Sequence, residues 1–180
     1  MNTTEIKFGG FGGQGVILAG IIVGRAASIY NNKFATLTQS FGPEARGSAC
    51  SAQVIVSDGK ITYPYVTRPE ILLVMSQEAC SKFLPEASDN AIVIIEEDLV
   101  KPGSLKPGMK LYGIPATRLA EELGRKMILN IVMVGFFTSV TKIVDYEAAR
   151  EAVKASVPQG TEEMNLKAFE RGYQYGLSLK

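Results

Sequence analysis

A glycine-rich stretch, Gly10-Phe11-Gly12-Gly13-Gln14-Gly15, joins a predicted strand at residues 5–10 to a predicted helix at residues 14–30. It has the spacing G-x-G-x-x-G, in the strand–turn–helix context that this motif requires. Glycines let the backbone approach an anion closely, and the free N–H groups and dipole of a helix start favour phosphate. The stretch therefore predicts either a phosphate-binding turn or a tight strand-to-helix turn that binds no ligand.

A second unusual loop follows the next predicted strand, at residues 34–40. It reads Gln39-Ser40-Phe41-Gly42-Pro43-Glu44-Ala45-Arg46-Gly47-Ser48. Its glycines and its proline fix a defined path, and Glu44 and Arg46 place an acid and a base close together. The planar guanidinium group of Arg46 suits a phosphate or a carboxylate ligand. The alternative is an ion pair inside a surface loop.

The rest of the chain alternates short apolar strands with helices. Asp58-Gly59 is a hairpin signal, which predicts that a strand at 48–57 pairs with a returning strand at 61–66. The alternation predicts a three-layer α/β/α sandwich with a Rossmann-like, mainly parallel sheet and a β-hairpin insertion. A length of 180 residues suits a single domain over residues 1–180. Further strands are predicted at 71–75, 91–95 and 110–114, and helices at 77–84, 116–125, 131–143, 145–157 and 161–179.

Composition excludes several classes of function. The chain has no histidine, which removes Ser-His-Asp and Cys-His nucleophile systems and histidine metal ligands. A net charge of +1, with scattered Lys and Arg, gives no basic stripe for nucleic acid. Cys50 and Cys80 are too few for an iron–sulfur cluster or a structural zinc site. They are predicted to be two buried thiols, and a disulfide is the alternative.

The chain shows no targeting or membrane signal. Its first residues run directly into the strand at 5–10, without a basic segment followed by an apolar one. The longest apolar run, residues 131–137, is far shorter than the roughly 20 residues that span a bilayer. We therefore expect a cytoplasmic protein that does not enter a membrane.

A standard dinucleotide site is not favoured. Such a site needs an acidic residue about 20 residues beyond the glycine turn, and residues 30–40 contain none. Lys33 either marks a 2′-phosphate site or lies in a solvated turn.

Two more candidates lie at the ends of later strands. Glu78 is either a general base or an acid that the helix dipole favours at a helix start. Thr117 either faces the site or has a capping or packing role in its helix.

Several segments together resemble the gamma subunit of 2-oxoacid:ferredoxin (or acceptor) oxidoreductases. The resemblance covers essentially the whole chain, and the order of its segments makes it more specific than any single glycine loop. The pattern is most similar to the 2-oxoglutarate class, with pyruvate and ketoisovalerate members on the same scaffold. The matching segments are residues 8–16, 39–47, 75–79, 112–116, 130–135 and 160–169.

This resemblance implies a subunit with no catalytic residue of its own. Thiamine diphosphate and iron–sulfur clusters are expected in partner alpha and beta subunits, with or without a small delta subunit, and ferredoxin is expected to meet the complex. The resemblance places this chain near coenzyme A. The phosphates would meet the glycine turn, and the loop of the second motif would lie near the ligand or at a subunit interface. The cofactor-binding residues implied in this way are Gly10, Phe11, Gly12, Gly13, Gln14, Gly15, Glu44 and Arg46.

Three hypotheses follow from the sequence. The favoured one is the gamma subunit of a 2-oxoacid oxidoreductase that helps form the coenzyme A site. The others are an autonomous Rossmann-type reductase using NAD(P) or flavin, and a purely structural assembly subunit. An isolated chain is expected to be inactive and to be capable of forming a homodimer through surfaces meant for its partners.

Overall fold

A six-stranded mixed sheet forms the centre of the protein, and the computed structural model describes residues 2–42 and 48–179. The strands are β1 (Thr3–Phe11), β2 (Phe34–Ser40), β3 (Ala49–Ser57), β4 (Ile71–Val74), β5 (Ile92–Glu96) and β6 (Lys110–Ile114). Their spatial order is β2-β3-β1-β4-β5-β6. Strands β1, β4, β5 and β6 pair in parallel, whereas β3 is antiparallel to both of its neighbours.

Helices cover both faces of the sheet unequally. The helices are α1 (Val16–Arg25), α2 (Gln77–Phe83), α3 (Ala116–Glu122), α4 (Leu129–Thr141), α5 (Tyr146–Ser156) and α6 (Glu162–Ser178). Helix α2 lies on one face, and the other five α-helices of the described chain pack on the other face, where α6 lies against α4. A π-helical segment, Ala26–Tyr30, continues α1, and short 3-10 segments follow α2 and precede α4.

The short central strands hold the two layers together because both of their faces are buried. In β4, Ile71 and Leu73 belong to the large core under α4, while Leu72 and Val74 belong to the smaller core under α2. Such continuous apolar runs are typical of parallel strands covered by helices on both sides. The predicted three-layer, mainly parallel sandwich is confirmed, including its β-hairpin.

The hairpin does not lie where the sequence predicted it. Its two strands are β2 and β3, in which Phe34 pairs with Ser57 and Ser40 with Ser51. The predicted returning strand at 61–66 is wrong, since that segment has no strand. The reason is that β1 and β2 already occupy both edges of β3. In addition, Pro64 has no backbone N–H group to donate a hydrogen bond to a neighbouring strand.

Strand β3 is buried along nearly its whole length. Every residue of β3 except Gln53 is buried, although small polar and apolar residues alternate in its sequence. Its position between β1 and β2 explains this, because a central strand is covered whatever its own pattern. Small side chains such as Ser51 and Ala52 are compatible with that tight environment.

Candidate functional site

The glycine turn lies at the carboxyl edge of the sheet, between the ends of β1 and β4. Helix α1 leaves the turn toward one face of the sheet, and α2 leaves the end of β4 toward the other face. In open α/β sheets, this divergence creates the crevice in which ligands bind. The glycine turn that the sequence singled out therefore lies beside this crevice.

Gln14 fixes the shape of the turn. Its side chain is almost fully buried. Its Oε1 accepts a hydrogen bond from the Phe11 N–H at 3.0 Å, and its Nε2 donates to the Met75 carbonyl oxygen at 2.8 Å. Both the oxygen and the nitrogen of the Gln14 amide are therefore hydrogen-bonded to backbone groups, which ties the turn to the end of β4. Gln14 positions the other residues of the turn.

Gly15 is required where the turn enters α1. Its φ of 73° lies in the left-handed region, and a Cβ atom there would come within 2.3 Å of the Asn130 Nδ2. That same Nδ2 donates a hydrogen bond to the Gly15 carbonyl oxygen at 3.2 Å. Sequence reasoning did not assign Asn130 to the site, because only the tertiary fold brings the start of α4 against the turn.

The start of α1 is open to an anion. Gly15 supplies no capping side chain, and the first turn of α1 contains no acidic residue. The first helical hydrogen bond closes from the Ala19 N–H to the Gly15 carbonyl oxygen. Within residues 2–42 and 48–179, the N–H groups of Gly12 and Gly13 have no acceptor. These unused donors, together with the helix dipole, suit a phosphate group.

The second motif starts and ends at the same edge. Phe11, at the end of β1, pairs with Ala49, and Ser40 pairs with Ser51, so the flanks of the loop meet the glycine turn. Glu44 and Arg46 lie outside the described residues, and their roles stay predictions. Glu78 accepts a hydrogen bond from the Ala49 N–H at 3.3 Å. Glu78 therefore helps to hold the start of β3.

A groove of about 280 Å³ adjoins the turn, and we call it the glycine-turn groove. Gly13 and Gly15 form one side, and the exposed side chains of Arg125 and Met127 line it as well. Arg125 forms no ion pair within the described part of the chain. No sequence pattern indicated this groove. Its other walls are formed largely by apolar side chains: Leu18, Ile128, Ile131, Val157, Pro158 and Met164.

Glu96 is a buried carboxyl group at the end of β5. It is 0% exposed, and its Oε1 accepts a hydrogen bond from the Thr117 N–H at 3.4 Å. Its Oε2 and the Thr117 Oγ1 are buried without a partner in the part of the chain that the structure describes. Burial raises the pKa of the Glu96 carboxyl. Sequence reasoning missed Glu96, because an acid after an apolar run is typical of the beginning of a loop.

The substitution Glu96→Gln is expected to remove a pH dependence of stability. The pKa of Glu96 in the folded protein lies above its ordinary value of 4.5. As pH rises from about 4.5 through that raised pKa, ionisation of Glu96 therefore lowers the free energy of unfolding. Glutamine stays neutral, so the variant should gain stability over the parent at pH 8 and show little difference near pH 4. We expect a gain of about 1–3 kcal/mol, because glutamine keeps a polar group at this position but removes the charge that burial makes costly.

Chemical denaturation between pH 4 and pH 8 measures this effect. Glu97→Gln is the matched control, since Glu97 is adjacent, is partly exposed and lies 3.6 Å from Arg118. An equal pH dependence in the parent and in Glu96→Gln would contradict the interpretation.

The two cysteines are separate buried thiols, as predicted. Cys50 belongs to β3, and Cys80, in α2, lines a separate cavity of about 270 Å³ on the opposite face from α1. Burial raises the pKa of both thiols, which keeps them protonated and weakly nucleophilic.

Over the described ranges, no three Cys, Asp or Glu side chains are grouped as metal ligands. No described helix combines the length and apolar character needed to cross a bilayer.

The sheet order and the glycine turn at the carboxyl edge of β1 define an α/β protein of the Rossmann-like class. The model of one protein family, pyruvate ferredoxin/flavodoxin oxidoreductase, matches residues 5–175. The chain therefore belongs to this family. The resemblance to gamma subunits of 2-oxoacid oxidoreductases is confirmed, and the chain is an oxidoreductase subunit.

Relatives in sequence and structure agree with this family. The 2-oxoglutarate synthase subunit KorC of Methanocaldococcus jannaschii is 46% identical, over 97% of this chain and 95% of its own length. The keto/oxoacid ferredoxin oxidoreductase gamma subunit of Geobacter sulfurreducens has a TM-score of 0.87 and 37% identity, and covers 99% of this chain and 98% of its own.

A larger solved structure contains the same fold. The 2-oxoglutarate:ferredoxin oxidoreductase of Magnetococcus marinus, solved with 2-oxoglutarate, coenzyme A and succinyl-CoA bound, has a TM-score of 0.86 at 20% identity. The match covers 100% of this chain and 32% of the Magnetococcus chain. At this identity the likeness concerns the fold alone.

Proposed function

We propose that this chain is the gamma subunit of a 2-oxoglutarate:ferredoxin oxidoreductase and helps form its coenzyme A site. The observation that carries the proposal is the uncapped glycine turn at the crevice between β1 and β4, whose N–H groups lack acceptors within the described residues. The choice of 2-oxoglutarate rests on the KorC relatives, which match over nearly their whole length. Pyruvate and ketoisovalerate subunits match at lower identity.

Coenzyme A suits the turn because it presents phosphate groups to backbone donors. We assign its phosphates to the stretch from Gly10 to Gly15, with Glu44 and Arg46 on the adjoining loop. Within this set, Gln14 shapes the turn, and Phe11 is exposed at its tip. Arg46 would add a charge-assisted hydrogen bond to a phosphate oxygen. The Magnetococcus protein, which shares the fold, has coenzyme A bound.

The proposed reaction divides its work among subunits. Thiamine diphosphate in the alpha and beta subunits would stabilise the negative charge left by decarboxylation, and iron–sulfur clusters would carry electrons to ferredoxin. This chain would hold coenzyme A, orient it toward the partner subunits and exclude water from the acyl transfer.

The substitution Arg46→Gln tests the coenzyme A site. In the complete anaerobic complex, we expect KM for coenzyme A to rise roughly ten- to hundred-fold, the effect of losing one hydrogen bond to a charged group. KM for the 2-oxoacid should change little. Steady-state kinetics with coenzyme A varied at saturating 2-oxoglutarate, and with the 2-oxoacid varied at saturating coenzyme A, gives both values.

Arg68→Gln is the matched control. Arg68 is exposed and pairs with Asp89 at 2.7 Å, at the amino edge of β4 and β5, away from the turn. If both variants assemble and neither changes KM for coenzyme A, the chain is a structural assembly subunit. Recovery of the chain from its own cells without a thiamine-dependent pair would favour the autonomous reductase instead.

A further inference from the structure

An exposed apolar patch borders the edge strand β2, and we call it the β2 patch. It consists of five large side chains that are 39–62% exposed: Ile29, Tyr30, Phe34, Tyr63 and Tyr65. The first two end the π-helical segment, which packs against β2. The two rings at 63 and 65 lie 5.5 Å apart, and the Pro64 carbonyl oxygen between them accepts a hydrogen bond from the Thr36 hydroxyl of β2. An exposed apolar patch of this size marks an interaction site.

The outer edge of β2 has no strand beside it. β2 is the last strand of the sheet and pairs with β3 alone, and within residues 2–42 and 48–179 no backbone hydrogen bond leads outward from it. Proteins usually protect such an edge with charges, proline or a very short strand. The seven residues Phe34–Ser40 include no charged residue and no proline, whereas β6, at the opposite edge, has five residues and begins with Lys110. β2 is therefore suited to hydrogen bonding with a further strand.

Two cations near β2 are bonded to their own chain. The Nζ of Lys33, directly before the strand, donates to the Ile143 carbonyl oxygen at 3.3 Å. The Nη1 of Arg25 donates to the Ala155 carbonyl oxygen at 3.2 Å and to the Ser156 hydroxyl at 3.0 Å. The strand and the β2 patch themselves contain no charged side chain. Two copies of this surface can therefore meet without the repulsion between like charges that would oppose a self-complementary contact.

The surface is large enough for a stable dimer. A fully buried aromatic side chain removes roughly 150–250 Å² from water, so four half-exposed rings and one isoleucine supply roughly 400–600 Å² per copy. The strand edge adds to this area, as does a groove of about 260 Å³ between α1 and β2 that Ile21, Ala35 and Leu37 help to line. The total approaches the roughly 800 Å² that each partner contributes to a standard interface.

We propose that β2 pairs with β2 of a second copy of this chain, antiparallel and about a two-fold axis. The two six-stranded sheets then form one continuous sheet, and the two β2 patches cover each other. An antiparallel strand pair is two-fold symmetric, so the same surface serves on both sides and the assembly closes at two copies. Rotation about the axis reverses strand direction, so the carboxyl edges of the two sheets point in opposite directions. This interface is separate from the proposed coenzyme A role.

Sedimentation equilibrium of the full-length chain tests the assembly. We expect a dimer of twice the chain mass of 19.4 kDa that dissociates on dilution. Phe34→Lys and Tyr65→Lys should each raise the dimer Kd about tenfold or more, because each removes a ring from the interface and places a charge at the joined edge. Leu111→Lys is the matched control, since Leu111 is 44% exposed on the other edge strand, β6. It should leave the Kd unchanged.

Two results of this experiment would overturn the proposal. One is a chain that stays monomeric at roughly 100 µM, well above the Kd of a standard interface. The other is a dimer whose Kd does not respond to the two substitutions in the β2 patch, or responds equally to Leu111→Lys.

Hydrogen exchange identifies what covers the strand. In the proposed dimer, amides of residues 34–40 should exchange more slowly above the dimer Kd than below it, whereas those of residues 110–114 should not change. A dimer without this protection would overturn the strand pairing. Protection of residues 34–40 that appears only when the complete complex is assembled would assign β2 to a partner subunit, and would overturn the proposal as well.

Discussion

Replacing Gly135 by alanine is expected to lower the free energy of unfolding by roughly 3 kcal/mol or more. This loss is at or above the upper end of what an overpacked core usually costs. A Cβ atom on Gly135, in α4, would come within 1.9 Å of the Phe169 carbonyl oxygen of α6. The contact is reciprocal, because a Cβ on Gly172 would come within 1.9 Å of the Val132 carbonyl oxygen. Both obstacles are backbone atoms, so the helices must separate to admit the methyl group.

The measurement is thermal and chemical denaturation of the full-length chain. We expect Tm to fall by roughly 6–12 °C for Gly135→Ala, at about 2–4 °C per kcal/mol for a chain of this size. Gly24→Ala is the matched control, since Gly24 is also helical and a Cβ there has no neighbour within 4 Å. That variant should be neutral or more stable, by up to about 1 kcal/mol. Similar behaviour of the two variants would contradict the close approach of α4 and α6.

The substitution Gln14→Glu is expected to have an effect of similar size. It preserves shape and the acceptor for the Phe11 N–H, but it removes the donor to Met75 and turns a carboxylate oxygen toward that carbonyl oxygen. Because Gln14 is almost fully buried, the charge is unpaired in a dry site, at a cost of roughly 3–5 kcal/mol. The loss should shrink toward pH 4, where a protonated carboxyl can donate again.

Urea denaturation of the variant at pH 7 and pH 4 measures both parts of this prediction. Gln77→Glu is the control with the same bonding pattern on the surface. The Gln77 Nε2 donates to the Lys101 carbonyl oxygen at 3.1 Å, and its Oε1 accepts from the Lys101 N–H at 2.7 Å. Water can solvate a carboxylate at this exposed position, so the control substitution should cost no more than about 1 kcal/mol. A cost for Gln14→Glu as small as this would show that the glycine turn does not depend on the Gln14 amide.

Secondary structure was predictable because most signals in this chain are local. The run Ile71–Val74 is short, apolar and β-branched at both ends, which is typical of a buried strand. The sequence alone could not show that residues 61–66 form no strand, because that outcome depends on which strands lie beside β3. A hairpin signal specifies a turn, and whether a partner edge is free is a property of the whole sheet.

The candidate site was predictable only in part. The stretch from Gly10 to Gly15 carries its own pattern, and the structure places it at the carboxyl edge of the sheet, where the flanks of the second motif also lie. Asn130 and Asn165 lie in two of the segments that resemble the family, but nothing in the sequence assigned them to a site, and Arg125 lies outside those segments. The groove that these residues line exists because α4 packs against α1 and α6 packs against α4.

The Rossmann-like class, the glycine turn and the oxidoreductase family could all be read from the amino-acid sequence, because each rests on residue types at short fixed spacings. Three outcomes required the folded chain: which strands form the hairpin, the burial of Glu96, and the groove that two asparagines share with the turn. These outcomes depend on contacts between residues far apart in the chain, such as Gly15 with Asn130. Local propensity does not encode such contacts, and packing of the complete core sets them.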